Sequence, residues 1–179
     1  MPCRLILSGP FCTGKTSIIK VLSEKHQIPK LIDDTTRPMR AQERPGFPYN
    51  FIQEREFRER LDRNYYFETV TFNGYFYGVP RKSLEQDKWS LDILESSWGF
   101  YKDLPGVIGI YLEPPPIEVL VKRAQLRGDS TKHIEDRLLL LQNQSAISFP
   151  YHIPSQTTLE KSVEEIEKIL RSKIIKQVI

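Results

Sequence analysis

Short apolar runs recur along the chain and are separated by longer stretches with helical periodicity. The runs lie at residues 5–7, 30–32, 90–94 and 107–112, and each has the length of a buried strand. The helical stretches begin after Lys15, at residues 116–127, at residues 132–143 and at Leu159. Because strands that alternate with helices form parallel sheets covered by helices, this pattern predicts an α/β core.

The C-terminal stretch has the clearest helical pattern. Its apolar positions form one stripe at helical spacing: Leu159, Val163, Ile166, Leu170 and Ile174. Thr157 and Glu160 have the spacing of a capping box at the start of this helix. The charged residues on its other face indicate a solvated surface, so we predict a structural helix without a site.

Residues 35–80 differ in character from the rest of the chain. Tyr, Phe and Thr dominate residues 65–77, and the pair Asn73-Gly74 interrupts that run. Because Asn-Gly between such segments is a strong hairpin signal, we predict a small antiparallel sheet inserted into the parallel core, with a short helix at 54–63. No basic stripe accompanies the aromatic residues, so they indicate a core rather than a surface for stacking nucleic acid bases.

A phosphate-binding loop lies between the first predicted strand and the first predicted helix. Residues 9–16 match the pattern G-x-x-x-x-G-K-[ST]. The glycines let backbone N–H groups turn onto phosphate oxygens, and the helix N-terminus faces the same anion. We expect Lys15 to reach the β- and γ-phosphates and Thr16 to ligate Mg²⁺ bound with ATP. The predicted ATP-binding residues are Gly9, Pro10, Phe11, Cys12, Thr13, Gly14, Lys15, Thr16 and Ser17.

Composition limits the possible classes of partner and compartment but indicates no further site. The chain has 179 residues and a net charge of +3, which fits one domain and gives little reason to infer nucleic acid or membrane partners. Cys3 and Cys12 lie too close in sequence for an ordinary disulfide framework, so we expect a reducing compartment, with the cytoplasm as the default. No run is long enough to span a bilayer. The three histidines lack metal-ligand spacing, so we expect no metal beyond Mg²⁺.

A second informative segment is Thr35-Thr36-Arg37-Pro38-Met39-Arg40, which is followed by Glu43, Gly46, Tyr49 and Phe51. The two arginines are three residues apart and can address one phosphate group, because guanidinium groups bind phosphate oxygens bidentately and stay charged. An arginine pair alone is more often solvated surface.

In combination, these segments resemble the guanylate kinase family. The resemblance also includes Glu68, the element Tyr75-Phe76-Tyr77-Gly78, the run Tyr111-Leu112-Glu113-Pro114-Pro115 and a lid-like segment at 122–138, so it covers nearly the whole chain. It implies a P-loop kinase with a parallel sheet core flanked by helices, a small inserted antiparallel β subdomain and a helical lid. It implies a core of residues 1–33, 83–122 and 139–179, an acceptor-binding subdomain of residues 34–82 and a lid of residues 123–138.

The resemblance also implies roles for individual residues. Arg37, Arg40, Tyr49 and Tyr77 would hold the phosphate of the acceptor nucleotide, and Glu68 would contact its base. The lid arginines would be Arg123, Arg127 and Arg137, and the catalytic set would be Lys15, Arg37 and these three. Since an acceptor phosphate oxygen is itself the nucleophile, charge neutralisation and positioning would carry the reaction without a general base.

Some departures from the family pattern concern the base pocket. Asp33 and Val79 stand where the family has serines, so the guanine O6 atom loses its expected donors, and Asp33 would instead suit an amino group. Of the family's paired core aspartates, Asp92 remains, and Glu95 is the candidate for the second. The acceptor-binding set is therefore predicted as Asp33, Arg37, Arg40, Tyr49, Glu68, Tyr77, Val79 and Asp92.

Three functions stay open at this point. The favoured one is a nucleoside monophosphate kinase that transfers the γ-phosphate of ATP to GMP, dGMP or a related nucleotide. A sugar-phosphate kinase such as ribose 1,5-bisphosphokinase shares the loop and an element like Tyr77-Gly78-Val79, but Tyr49 and its preceding motif suit a nucleotide phosphate. A non-catalytic protein-binding scaffold would usually have a degraded loop, whereas Lys15 and Thr16 are intact here.

Overall fold

The structure, a computed structural model, describes residues 3–41, 43–142, 148–154 and 158–176, with side chains described as far as residue 173. The strands are β1 Cys3–Ser8, β2 Asp33–Thr35, β3 Tyr49–Phe51, β4 Tyr66–Phe72, β5 Tyr75–Pro80, β6 Lys88–Asp92, β7 Val107–Leu112 and β8 Tyr151–Ile153. The helices are α1 Lys15–His26, α2 Glu54–Asp62, α3 Trp98–Tyr101, α4 Ile117–Leu126, α5 Thr131–Gln142 and α6 Leu159–Lys176. Short 3-10 turns lie at Arg81–Glu85 and Glu95–Ser97.

The central sheet contains four parallel strands in the order β6-β1-β7-β8. In β1 the side chains alternate between the two faces, so that Leu5 and Leu7 join one buried cluster and Ile6 joins the other. The first cluster includes apolar residues of α1 and α6, and the second includes Trp98 and Tyr101 of α3. The predicted parallel α/β core, covered by helices, is confirmed.

The inserted sheet has the order β3-β2-β5-β4. The pairs β2–β5 and β4–β5 are antiparallel, as predicted, and the edge pair β2–β3 is parallel. Asn73 and Gly74 join β4 to β5, with positive φ angles of 51° and 76°. Asn and Gly tolerate this left-handed backbone better than other residues, so the hairpin forms at the predicted position.

Some sequence expectations need correction. Residues 30–32 do not form a strand, because Lys30 makes only a single bridge to Ser90 and β2 begins at Asp33. The last core strand, β8, and the short helix α3 were not predicted, since each is too short to show a periodic pattern.

The C-terminal helix begins at Leu159 as predicted, and Val163, Ile166 and Leu170 are buried in the first cluster. Thr157, the predicted capping residue, lies outside the described residues, as do residue 143 at the end of the predicted lid helix and the side chain of Ile174. The backbone N–H of Lys161 donates to the hydroxyl of Thr158, at 3.3 Å. Among the described residues, no helix is both long and apolar enough to cross a membrane.

Candidate active site

A cleft of about 1350 Å³ opens between the central sheet, the inserted sheet and the pair of helices α4 and α5. The predicted phosphate loop, residues 9–17, lines it throughout. The other predicted residues that line it are Asp33, Arg40, Tyr49, Glu68, Tyr77, Val79, Asp92, Arg123, Arg127 and Arg137. Residues separated widely in sequence therefore meet around one cavity. Arg37 is the predicted residue that does not line the cleft.

The phosphate loop lies between the carboxyl end of β1 and the start of α1. Gly9 has a φ of +133°, and a Cβ atom at this position would lie 2.4 Å from the backbone oxygen of Leu112. No other residue fits there without moving β7. Gly14, with a φ of +95°, directly precedes α1, and its oxygen accepts from Ile18 at 2.9 Å. The loop thus turns tightly at both ends and places its backbone beside a helix N-terminus, the arrangement that binds phosphates.

Lys15 extends across this loop. Its Nζ atom donates to the backbone oxygens of Gly9 and Pro10, both at 2.7 Å. Burial lowers the pKa of Lys15 to about 8, although the nearby carboxylate of Asp92 opposes that shift. The ammonium is therefore held at the mouth of the loop by neutral carbonyl groups, which an anion can replace as partners.

Arg37 and Arg40 belong to one network around Glu43. The Nη2 atom of Arg37 donates to both carboxylate oxygens of Glu43, at 2.7 and 2.9 Å, and the backbone N–H of Arg40 donates to the same carboxylate at 2.8 Å. Burial alone would raise the pKa of Glu43, but these partners outweigh it and hold that pKa below its ordinary value. The Arg37 guanidinium also packs 5.5 Å from the ring centres of Tyr49 and Phe51. Arg37 thus packs on the side of the cleft wall that faces away from the cavity, whereas Arg40 lines the cleft.

A buried ion-pair network lies next to this wall, with the Nζ atom of Lys30 5.2 Å from the ring centre of Tyr49. Lys30 donates to Oδ1 of Asp33 at 2.9 Å and lies 3.2 Å from Oδ1 of Asp92. Burial raises the pKa of Asp33 to about 6, although Lys30 opposes that shift. Burial also disfavours the charge on Asp92, but Lys30 and Lys15 outweigh it and lower the pKa of that carboxyl. Of the two candidate core acidic residues, Asp92 therefore joins the network, whereas Glu95 begins the short turn beyond β6.

Glu68 lies in the same part of the cleft. Its Oε2 atom accepts a hydrogen bond from the hydroxyl of Tyr101, and Ser97 also contacts the carboxylate. Its Oε1 atom is buried and has no hydrogen-bond partner within the described part of the chain. Burial raises the pKa of this carboxyl, while the two hydroxyl groups oppose the shift. Glu68 therefore presents one unused acceptor, which suits the N–H groups of a base.

Tyr49, Tyr77 and Val79 form the remaining wall on the acceptor side. The rings of Tyr49 and Tyr77 meet edge to face, with centres 5.7 Å apart. Val79 pairs with Glu68 across β5 and β4, and it is buried in the second apolar cluster. The structure thus places an apolar side chain beside Glu68.

The three arginines predicted for the lid have three different kinds of partner. Arg123, in α4, donates to the backbone oxygen of Cys12 at 3.1 Å. Arg127, at the end of α4, pairs with Asp129, whose carboxylate also lies 3.8 Å from Arg40. Arg137, in α5, packs against aromatic rings, and burial and the charge of Arg127 lower its pKa. All three guanidinium groups lie on the side of the cleft that faces the phosphate loop.

Sequence reasoning missed two features of this site. The first is the buried ion pair of Lys30, which is only 8% exposed. The signal that could have revealed this pair is a lysine in an apolar run, three residues before Asp33. The hydroxyl groups of Ser97 and Tyr101 orient Glu68, but they come from the turn after β6 and from α3, where the sequence shows no motif.

Comparison with known protein sequences gives matches to one family. The family model of guanylate kinase matches residues 2–173 of the chain. A guanylate kinase of Prochlorococcus marinus is 31% identical over 178 residues, which cover 94% of this chain and 96% of that relative. A guanylate kinase of Helicobacter pylori is 33% identical over 181 residues, which cover 94% of this chain and 86% of that relative.

Comparison with solved structures also gives a match to a guanylate kinase. The crystal structure of guanylate kinase from Anaplasma phagocytophilum aligns with a TM-score of 0.70 and 26% identity, covering 96% of this chain and 86% of that one. An uncharacterized protein from Eubacterium ventriosum aligns with a TM-score of 0.55 at 15% identity, covering 96% of this chain and 99% of that one, which indicates a shared fold alone.

Proposed function

Because the chain belongs to the guanylate kinase family, we propose that it transfers the γ-phosphate of ATP to GMP, dGMP or a related nucleoside monophosphate. The products are ADP and the nucleoside diphosphate. The observation that carries this proposal is the shared cleft, in which the phosphate loop, the acceptor-side residues and the lid arginines face one another.

On the donor side, the backbone N–H groups of the phosphate loop bind the phosphates of ATP, except at Pro10, which has none, and Lys15 contacts the β- and γ-phosphates. Lys15 exchanges its contacts with the Gly9 and Pro10 oxygens for contacts with the phosphates. The Thr16 hydroxyl lies in the first turn of α1 beside the cleft and is a hard oxygen ligand, so it fits Mg²⁺ brought in with ATP. Mg²⁺ supplies positive charge that offsets the charge of the β- and γ-phosphates.

On the acceptor side, Arg40, Tyr49 and Tyr77 bind the phosphate of the nucleoside monophosphate, and Arg37 keeps this wall in place through Glu43 and Tyr49. The base extends toward Glu68, Asp33 and Val79. One oxygen of the bound phosphate attacks the γ-phosphorus atom of ATP, and the bond to the β-phosphate oxygen breaks. The nucleophile is already an anion, so the site requires no general base.

During transfer, negative charge spreads over the moving phosphoryl group. Arg123, Arg127 and Arg137 stabilise this charge from the lid side, while Lys15 does so from the loop. In the proposed division of the chain, residues 34–82 bind the acceptor, residues 123–138 form the lid, and the remaining residues form the core. We place the protein in the cytoplasm, which suits the unpaired thiols of Cys3 and Cys12.

The test is ADP formation by the purified protein with Mg·ATP and a panel of acceptors: GMP, dGMP, AMP, CMP, UMP, dTMP and ribose 1,5-bisphosphate. Lys15→Ala serves as the negative control. Transfer to GMP or dGMP supports the proposal. Selective transfer to ribose 1,5-bisphosphate would assign the chain to sugar-phosphate kinases, and ATP binding without transfer to any acceptor would favour a scaffold.

A further inference from the structure

Arg137 lies between two aromatic rings that belong to different parts of the chain. Its guanidinium carbon is 5.5 Å from the ring centre of Phe11, in the phosphate loop, and 5.5 Å from the ring centre of Phe72, at the end of β4. A guanidinium group within about 6 Å of an aromatic face is attracted to it. Arg137 is thus held at once by the ATP-binding loop and by the hairpin of the inserted sheet.

This way of holding an arginine leaves its N–H donors unused. Arg127 donates hydrogen bonds to the carboxylate of Asp129, and Arg123 donates to a backbone oxygen. In contrast, the Nε atom of Arg137 is buried and has no hydrogen-bond partner among the described residues. Its side chain lines the cleft, and its Nη groups make no hydrogen bond among the described residues, so these groups are available to an anion there.

The hairpin makes a second contact with the lid. The Nδ2 atom of Asn73 lies 2.7 Å from the Nε2 atom of His133. His133 and Arg137 are four residues apart in α5 and therefore lie on the same face of that helix. Phe72 and Asn73 are adjacent at the hairpin tip, so the tip contacts α5 through two neighbouring pairs.

We propose that Phe11 and Phe72 are positioning residues that hold Arg137 with its donors directed toward the transferring phosphoryl group. This inference rests on the proposed function. The rings fix the guanidinium without neutralising it, whereas a carboxylate partner would have to be displaced before the arginine could bind phosphate. Phe72 lies on the acceptor hairpin and Phe11 lies on the ATP loop. Arg137, in the lid, is therefore fully positioned only when the lid contacts both the hairpin and the loop.

The proposal predicts a specific kinetic pattern. Phe72→Leu keeps an apolar side chain but removes the ring face, and it should lower kcat by roughly 3- to 30-fold, the range expected for the loss of a partly buried cation–π contact. KM for ATP should not change, because residues 9–17 still bind the nucleotide. Phe72→Tyr keeps the ring and should retain kcat to within about twofold. Phe11→Leu should lower kcat in the same way, because it removes the second ring face but keeps the backbone N–H through which this loop binds phosphate.

The matched control is Phe76→Leu. Phe76 lies on the same hairpin, but its ring stacks on Phe57, 5.4 Å away, so this change tests the loss of an aromatic ring without touching Arg137. It should leave kcat unchanged. Thermal unfolding of each variant separates lost positioning from lost folding. If Phe72→Leu does not fold, then Phe11→Leu provides the same test.

A double-mutant cycle with Arg137→Ala decides between positioning and a general structural role. We expect Phe72→Leu to have no further effect on kcat once Arg137 is absent. The inference would be overturned by an equal loss in both backgrounds, or by equal kcat values for Phe72→Leu and Phe76→Leu. Activity of the wild-type protein distinguishes the two proposals. A wild-type protein that is inactive with GMP contradicts the proposed function. An active wild type with unchanged kcat in the Phe72 and Phe11 variants contradicts only the positioning role.

Discussion

The Nζ atom of Lys30 lies 2.9 Å from Oδ1 of Asp33, and both side chains are almost inaccessible to solvent. The same ammonium lies 3.2 Å from Asp92, which connects it to the end of β6. One buried cation thus separates two buried carboxylates that line the cleft. Asp33 stands where related chains are expected to have a serine, so Lys30 makes it possible for this site to contain an acidic residue.

Removal of Lys30 is expected to destabilise the protein strongly. Lys30→Met leaves Asp33 and Asp92 buried without their common partner, and the loss of one member of a buried ion pair costs about 3–5 kcal/mol in unfolding free energy. Urea unfolding measures this loss. Lys25→Met is the matched control, because Lys25 is exposed and its contact with Glu167 is 3.7 Å long. That variant should lose less than about 1 kcal/mol. Equal losses in the two variants would contradict the network.

Restoring serines should change the acceptor preference. The double variant Asp33→Ser with Val79→Ser returns hydroxyl donors to the base pocket, which guanine O6 can use. Lys30 still has Asp92 as a partner, so the pocket keeps a balanced pair of charges. We expect kcat/KM for GMP relative to AMP to rise by about one to two orders of magnitude, which corresponds to one buried polar group gaining a partner. An unchanged ratio would mean that these positions do not contact the base.

Lys15→Ala should abolish phosphoryl transfer while the fold survives. The change removes the charge that contacts the transferring phosphates, and we expect kcat to fall by at least about 1000-fold. The side chain donates to loop carbonyls rather than filling an apolar core, so the midpoint of thermal unfolding should shift little. Lys25→Ala, an exposed change in the same helix α1, should keep full activity. Substantial turnover by Lys15→Ala would refute the assigned role.

The activity should also decline at alkaline pH. Burial lowers the pKa of Lys15 to about 8, so the ammonium loses its proton about that pH rather than above 10. The protonated form binds phosphate, and therefore kcat/KM for ATP should be constant below this pKa and should fall about tenfold per pH unit above it. Residual activity of Lys15→Arg should lack this decline, because a guanidinium stays charged in this range. A flat wild-type profile up to pH 10 would contradict the lowered pKa.

Local signals account for the parts of the fold that could be predicted. The phosphate loop depends on Gly9 and Gly14, whose backbone conformations favour glycine, and the hairpin depends on Asn73-Gly74 for the same reason. The apolar stripe of α6 and the alternation in β1 come from periods of 3.6 and 2 residues, which need no knowledge of the rest of the chain. The cleft could be predicted only because the motifs resembled those of a known family.

Other features depended on contacts between distant segments. Arg37 faces Glu43, Tyr49 and Phe51 and does not line the cleft, because the chain between 37 and 51 folds back on itself. The run at 30–32 was predicted as a strand, but tertiary packing leaves only one bridge there and buries Lys30 against Asp92. No local period encodes such a pairing.

The sequence by itself determined where the phosphate loop lies, since such a loop needs only a few consecutive residues with the right backbone freedom. It also determined the alternation of strands and helices. Only the tertiary structure decided how the arginines are used: Arg137 between Phe11 and Phe72, Arg127 beside Asp129 and Arg37 behind the wall. The physical reason is that a guanidinium group can pair with a carboxylate, a carbonyl or an aromatic ring, and the choice depends on which of these the fold brings within reach.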